Sequence, residues 1–286
     1  METTLLSGKV FASQLKEEAK QKVEMMQAKY GITPGLAVII VGEDPASKVY
    51  VANKEKGCRE TGIYSEVIRM PEDTDKEMLL AEIHRLNRDE KIHGILVQLP
   101  LPKQIRAAEA EILEAISPLK DVDGFHPINV GNLSIGKDAL VPCTPHGCIR
   151  MLEMAGIPIA GKHAVIIGRS NIVGKPMAQL LLSHNATVTV CHSRTENLAD
   201  ITCQADILVA AVGRPYFVTA DMVKKGAVVI DVGINRLENK KIVGDVDFDN
   251  VAPIAGAITP VPGGVGLLTI AMLMQNTVFA AELQIK

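Results

Sequence analysis

Tyr50 and Lys54 stand four residues apart in Tyr50-Val-Ala-Asn-Lys54, so on a helix both side chains project from one face. An aromatic ring beside an amine suits a flat ligand that stacks on the ring while the amine moves a proton. That work needs a lysine whose pKa is drawn towards neutrality by desolvation or a nearby cation. The same spacing also describes an amphipathic helix with a solvated lysine, and the pattern alone does not separate the two. Val97-Gln98-Leu99-Pro100 closes an apolar run and sets an amide at the carboxyl edge of a strand. Gln98 there either orients the amine or an attacking water, or caps backbone. Lys120-Asp-Val-Asp-Gly124 offers two carboxylates, Asp121 and Asp123, in one turn. No further oxygen ligands lie nearby in sequence, so a grip on the N–H donors of a heterocycle suits them better than a divalent cation.

A second kind of chemistry is written in Gly168-Arg169-Ser170-Asn-Ile-Val-Gly174, between an apolar strand and an apolar helix. Glycines let backbone approach a pyrophosphate, and a helix N-terminus favours anions. Ser170 falls where the second glycine of G-x-G-x-x-G would be, so a plain strand–turn–helix also fits. The following strand ends in His192-Ser193-Arg194 without an acid to read a ribose 2′-hydroxyl. A hydroxyl and a guanidinium there suit a 2′-phosphate, which predicts NADP rather than NAD; a solvated turn arginine is the alternative. Gly213 and Gly233-Ile234-Asn235 follow later strands, at the carboxyl ends where ligands of parallel sheets sit. Thr259-Pro-Val-Pro262-Gly263-Gly264-Val265-Gly266 combines fixed bends with bare backbone just ahead of a helix. That composition fits a ligand-facing wall or a purely structural loop.

Other chemistries find little support. Cys143-Thr-Pro-His146-Gly-Cys148 resembles part of a metal cluster, but neither a second cysteine pair nor another close histidine completes a tetrahedral set. No G-x-S-x-G elbow is present, and His192 reads as structural or cofactor-adjacent. The five cysteines are an odd, scattered set, and no apolar leader precedes Lys9, which predicts reduced thiols in a cytoplasmic protein.

These groups must be held by regular elements. Helical periodicity covers residues 9–29, 46–62 and 75–89, alternating with short apolar runs at 35–41, 63–69 and 93–99. Continuous apolar runs between helices imply parallel strands covered on both faces. Ser117 to Pro145 has no clear period and reads as the join between domains. The alternation restarts with a helix near 146–155, a strand at 162–168, a helix at 175–184 and strands at 187–192, 205–212 and 227–232. A last helix covers 267–284. The reading is α/β with two domains, the second a Rossmann-type doubly wound parallel sheet. One domain spans 1–120, with the C-terminal helix of about 267–286 added to it, and the other spans 140–266.

Composition agrees. The 286 residues suit about two domains, with 47% apolar and 22% charged residues in a globular balance. Thirty Lys and Arg against thirty-three Asp and Glu leave a net charge of −3, and aromatics make up only 3%. Such a chain carries neither the basic surface nor the stacking platforms that nucleic acid requires. No apolar run reaches the ~20 residues of a membrane span.

Taken in order, Tyr50…Lys54, Gln98-Leu-Pro-Leu-Pro102, Asp121-Val-Asp-Gly124, Gly168-Arg-Ser170, Asp231-Val-Gly-Ile-Asn235 and Pro262-Gly-Gly-Val-Gly266 resemble the bifunctional methylenetetrahydrofolate dehydrogenase/cyclohydrolase family. The resemblance covers almost the whole chain. Leu267-Leu268 departs from it where Pro-Met would follow Gly266. The resemblance implies a folate domain, an NADP-binding domain, a cleft between them and a homodimer. It also implies oxidation of 5,10-methylenetetrahydrofolate by NADP, followed by hydrolysis of the methenyl cation to 10-formyltetrahydrofolate. Lys54, Gln98, Tyr50 and Asp123 are then the catalytic candidates. Tyr50, Val97, Gln98, Leu99, Asp123 and Pro262 to Gly266 are expected to bind substrate. Gly168, Arg169, Ser170, Gly174, Ser193, Arg194, Gly213, Gly233 and Ile234 are expected to bind NADP, and no metal is expected. The alternatives are a monofunctional methylenetetrahydrofolate dehydrogenase, another two-domain NADP reductase such as a shikimate-dehydrogenase-like enzyme, and a nucleotide-sensing module without turnover.

Overall fold

A computed structural model describes residues 3–285. In chain order its elements are β1 (Thr4–Leu5), α1 (Gly8–Tyr30), β2 (Gly35–Val41), α2 (Pro45–Thr61), β3 (Tyr64–Met70), α3 (Lys76–Arg88), β4 (Gly94–Val97), α4 (Glu109–Glu114), α5 (Pro127–Ser134) and α6 (Cys143–Met154). There follow β5 (His163–Ile167), α7 (Gly174–Ser183), β6 (Thr187–Cys191), α8 (Leu198–Thr202), β7 (Ile207–Ala210), β8 (Val228–Asp231), β9 (Asn235–Arg236), β10 (Ile242–Val243), α9 (Phe248–Val251), β11 (Ala257–Ile258) and α10 (Val265–Ile285). The chain divides into two compact units, one of residues 13–143 with 270–285, the other of residues 3–12 with 144–269.

The first unit is built on a three-stranded parallel sheet of order β3-β2-β4. Every residue of β2 is buried, because it has a neighbour on each edge and helices on its faces. Leu79, Ile83 and Leu86 recur along α3 at helical spacing and pack with Ala37, Ile39 and Ile95 of the sheet. The helix ends follow local chemistry. The Asp44 carboxylate accepts from Ser47 N at 2.8 Å, Pro45 opens α2, and Gly62 at φ +77° closes it. Asp75 caps α3 through Met78 N at 2.8 Å.

The stretch 117–145, expected to be a featureless join, instead contains α5 and the start of α6, and up to Cys143 it belongs to the first unit. Its shape comes from turn bonding. The buried Asp121 carboxylate accepts from Gly124 N, His126 N and Asn129 Nδ2 at 3.1, 2.8 and 2.9 Å. Turn bonds of this kind leave no hydrophobic period to read.

The second unit holds a six-stranded sheet of order β1-β11-β8-β7-β5-β6, every neighbouring pair parallel. Val165, Ile167, Leu208, Val229 and Ile258 are among its core residues. β1 joins by pairing Thr4 with Ala257, a long-range contact that local sequence does not announce. The β9–β10 hairpin lies outside this sheet.

Among the described residues α10 alone is long and apolar enough to cross a membrane, and 61% of its apolar window is buried in the protein. Within the first unit its far half is tied down by polar side chains. Asn276 Nδ2 donates to Val122 O and Val141 O at 2.8 Å each, and Gln284 Nε2 donates to His93 O at 2.9 Å.

Candidate active site

Tyr50 and Lys54 lie one turn apart on α2, Tyr50 48% exposed and Lys54 half-buried. Lys54 Nζ donates to Gln98 Oε1 at 2.9 Å, while Gln98 Nε2 donates to Leu99 O at 2.7 Å. The second bond fixes the amide, since its NH2 is committed to a carbonyl and its oxygen must face the amine. Gln98 sits one residue past β4, where Gln98 N donates to Ile39 O at 2.8 Å and locks the strand end to β2. Val97 is buried in the core cluster and Leu99 packs against it, so Val97, expected to bind substrate, instead supports the strand end.

Burial draws the Lys54 pKa down, opposed by the nearby Asp123 carboxylate. Burial pushes the Asp123 carboxyl up to about 6; Lys54 pulls the other way and Asp121 adds to the rise. The two carboxylates of the turn thus divide. Asp121 is consumed by turn donors, and Asp123 is left to interact with the amine. Gly124, at φ +71°, permits the close turn, since a Cβ there would lie 2.7 Å from Leu140 O and Pro142 N. Burial also holds the Cys143 thiol well above its usual range, which keeps it protonated beside the lysine. Sequence reasoning did not place Cys143 or Asn276 here; both reach Asp123's neighbourhood through contacts with Val122 O that carry no local signal.

In the second unit Gly168 has φ +129°, and a Cβ there would overlap Ala211 O; a Cβ on Gly174 would overlap Gly168 O. Both glycines are therefore required for the strand to turn into α7. Ser170, in place of the usual second glycine, accepts from Val173 N and Gly174 N at 3.1 and 3.3 Å, while Lys175 N donates to Ser170 O at 3.0 Å. The start of α7 is thereby capped from within, and Arg169 and Ser170 remain exposed on the loop. Ser193 and Arg194 are exposed just past β6, in a turn closed by His192 N donating to Thr195 Oγ1 at 2.8 Å. A bare cradle that any side chain would fill, with an exposed hydroxyl and guanidinium beyond the next strand, fits a 2′-phosphorylated dinucleotide.

Gly213 and Gly233 follow β7 and β8, and Ile234 is 55% exposed. Pro262 and Gly263 are exposed, Gly264 and Val265 are buried, and Gly8 N donates to Gly263 O at 2.8 Å, which anchors the loop to the start of α1. A Cβ on the exposed Gly266 would lie 3.4 Å from Ile234 Cδ1, so these two flank one another. Leu267 is 44% exposed beside them and Leu268 is fully buried. Among the described residues no three His, Cys, Asp or Glu side chains are grouped to hold a metal ion. Cys143, His146 and Cys148 form no such set.

Comparison with known proteins gives one answer over the whole chain. The model of the tetrahydrofolate dehydrogenase/cyclohydrolase catalytic domain matches residues 6–123, and that of the NAD(P)-binding domain matches residues 142–285. A bifunctional protein FolD of Bacillus thuringiensis (strain Al Hakam) is 58% identical over 282 residues, covering 99% of this chain and 98% of that protein. The bifunctional FolD of Campylobacter jejuni is 52% identical and superposes with a TM-score of 0.95 over 99% of each chain. The Trypanosoma brucei FolD, solved with NADP cofactor and inhibitor, is 38% identical with a TM-score of 0.93, over 100% of this chain and 99% of that one. The chain belongs to the tetrahydrofolate dehydrogenase/cyclohydrolase family.

Proposed function

We propose that the Lys54 cluster carries the proton transfers of hydrolysis and that the loops of the second unit hold the cofactor of the oxidation. The chain is a bifunctional enzyme that oxidises 5,10-methylenetetrahydrofolate with NADP and hydrolyses the methenyl product to 10-formyltetrahydrofolate. NADP, when bound, would supply the acceptor for the hydride of the one-carbon unit. Gly168, Arg169, Ser170 and Gly174 would hold its phosphates, Ser193 and Arg194 its 2′-phosphate, and Gly213, Gly233 and Ile234 its remaining length. No protein acid is needed for hydride transfer, so positioning carries that step.

Hydrolysis does need a proton carrier. A neutral Lys54 amine takes a proton from water as its oxygen bonds to the methenyl carbon. The ammonium then returns that proton to the folate nitrogen as its bond to the carbon breaks, and the carbinol proton leaves to solvent. A charged lysine would oppose the cationic substrate, so the lowered pKa serves the first half of this cycle. Gln98 holds the amine, Asp123 grips the pterin donors, and Tyr50 stacks along the folate. Leu99, next to Gln98 at the end of β4, is placed to contact the substrate in the first unit. The single observation that carries this reading is the Lys54–Gln98 bond, in a buried setting that also contains Asp123.

The family resemblance further supports a cytoplasmic homodimer that binds neither nucleic acid nor membrane, which light scattering and fractionation would test. The enzymatic test follows NADPH formation and methenyl absorbance together, with NADP or NAD. NADPH formation with methenyl consumed faster than in buffer is expected. Accumulating methenyl would remove Lys54 from hydrolysis, and reduction of NAD in preference to NADP would remove Ser193 and Arg194 from phosphate binding.

A further inference from the structure

Two buried carboxylates stand outside the machinery described above. Asp245, fully buried, accepts from Val212 N and Gly213 N on Oδ2 at 2.7 and 2.9 Å, and from Arg214 N and Asn235 Nδ2 on Oδ1 at 2.9 and 2.8 Å. Asp231, the last residue of β8, accepts from Gly233 N and Asp245 N on Oδ1 at 2.9 and 3.0 Å, and from Val246 N on Oδ2 at 2.9 Å. Its own backbone N–H is bound by Thr259 Oγ1 at 2.8 Å.

Three successive amides aimed at one point form a cup for an anion. In the loop after β7 that cup is already filled by the protein's own carboxylate, so its amides are not free for a phosphate. Their bonding instead fixes where the loop lies. The loop after β8 is fixed in the same way through Asp231 and Asn235. A Cβ on Gly233 would overlap the Asp245 carboxyl, and one on Gly244 would overlap that of Asp231, so backbone is drawn tightly around both acids. Both loops stand at the carboxyl ends of parallel strands, where a dinucleotide is received.

We propose that Asp245, braced by Asp231, is a positioning residue for hydride transfer: it sets the loops carrying Gly213 and Gly233-Ile234 in the shape that receives NADP. The proposal rests on the reading of those loops as cofactor-binding. Saturable NADP-dependent turnover at a raised KM separates it from loss of the second unit's fold, and hydrolysis by the cluster of the other unit reports the active enzyme present in the same sample.

The experiment compares full-length wild type and Asp245→Asn for NADP-dependent oxidation, NADP affinity by titration, and hydrolysis of methenyltetrahydrofolate. The amide offers its NH2 where backbone donors converge, so at least one bond to the loop is lost. The expected result is a KM and dissociation constant for NADP raised about tenfold, with kcat for oxidation lowered and hydrolysis within about twofold of wild type. Unchanged NADP parameters would overturn the proposal, as would a proportional loss of both activities from folded protein. Should Asp245→Asn fail to fold, Asn235→Ala removes one donor from the same carboxylate, and a KM for NADP raised about threefold is expected; no change there overturns the proposal as well. A wild-type protein that does not reduce NADP would instead strike the cofactor reading, and the proposal would fall with it.

Discussion

Carboxylates in the two units face opposite demands. In the first unit, Asp121 is wrapped by three N–H donors and shapes a turn, while its neighbour Asp123 lies beside Lys54 and has its pKa pushed up to about 6 by burial. In the second unit, Asp231 and Asp245 are both wrapped, and together they tether the loops after β7 and β8. Position near a ligand does not by itself make an acid reactive. The number of protein donors already spent on it separates a group that holds shape from one left to grip a substrate.

The comparison breaks most sharply at Lys54. Lys54→Met is expected to lower hydrolysis of methenyltetrahydrofolate by about 10²–10⁴-fold, the usual worth of a proton carrier, while NADPH formation persists. Decay of methenyl absorbance measures it, and full retained hydrolysis would place the chemistry elsewhere. Gly168→Ala tests the other unit. Its φ of +129° and the overlap with Ala211 O should raise the KM for NADP about ten- to a hundredfold, leaving hydrolysis intact.

Asp123 sharpens the contrast through pH. Its folded pKa of about 6 lies above the ordinary aspartate value of 3.8, so between these the native protein holds a proton that the unfolded chain has released. Stability therefore falls as pH rises from about 4 to 6 and levels off above. Asp123→Asn should remove a fall on the order of 1–3 kcal/mol, read as denaturation midpoints at both ends of that window. Asp231, also pushed up to about 6 by burial against its backbone donors, keeps its share of the fall in the variant.

Thr259→Val deletes the hydroxyl partner of the buried Asp231 N–H and should cost about 1–3 kcal/mol in urea unfolding. At the bottom of the scale, Lys16→Met breaks the exposed Lys16–Glu60 pair, 2.6 Å apart, and should change stability by less than about 1 kcal/mol.

Much of the fold was legible because burial imposes periods. β2, α2, β3 and α3 lie within a residue or two of where apolar spacing and breakers put them, and the Lys54 and Gln98 positions followed from helix and strand-end geometry. What the sequence did not show depends on distant partners. Nothing local says that Thr4 pairs with Ala257, that Asp245 serves amides more than thirty positions earlier, or that Asn276 reaches Val122. The 117–145 stretch hid a helix because its order comes from Asp121 and Asn129 bonding rather than an apolar stripe.

The pairing of β1 with β11 also bears on synthesis. The sheet of the second unit pairs strands that lie about 250 positions apart in the chain, with Leu5 opposite Ile258. The β2–β3–β4 sheet, by contrast, draws all its strands from residues 35–97. The first unit's sheet can thus assemble once residues 35–97 have been made, but β1 has no sheet partner until residue 258 has been added.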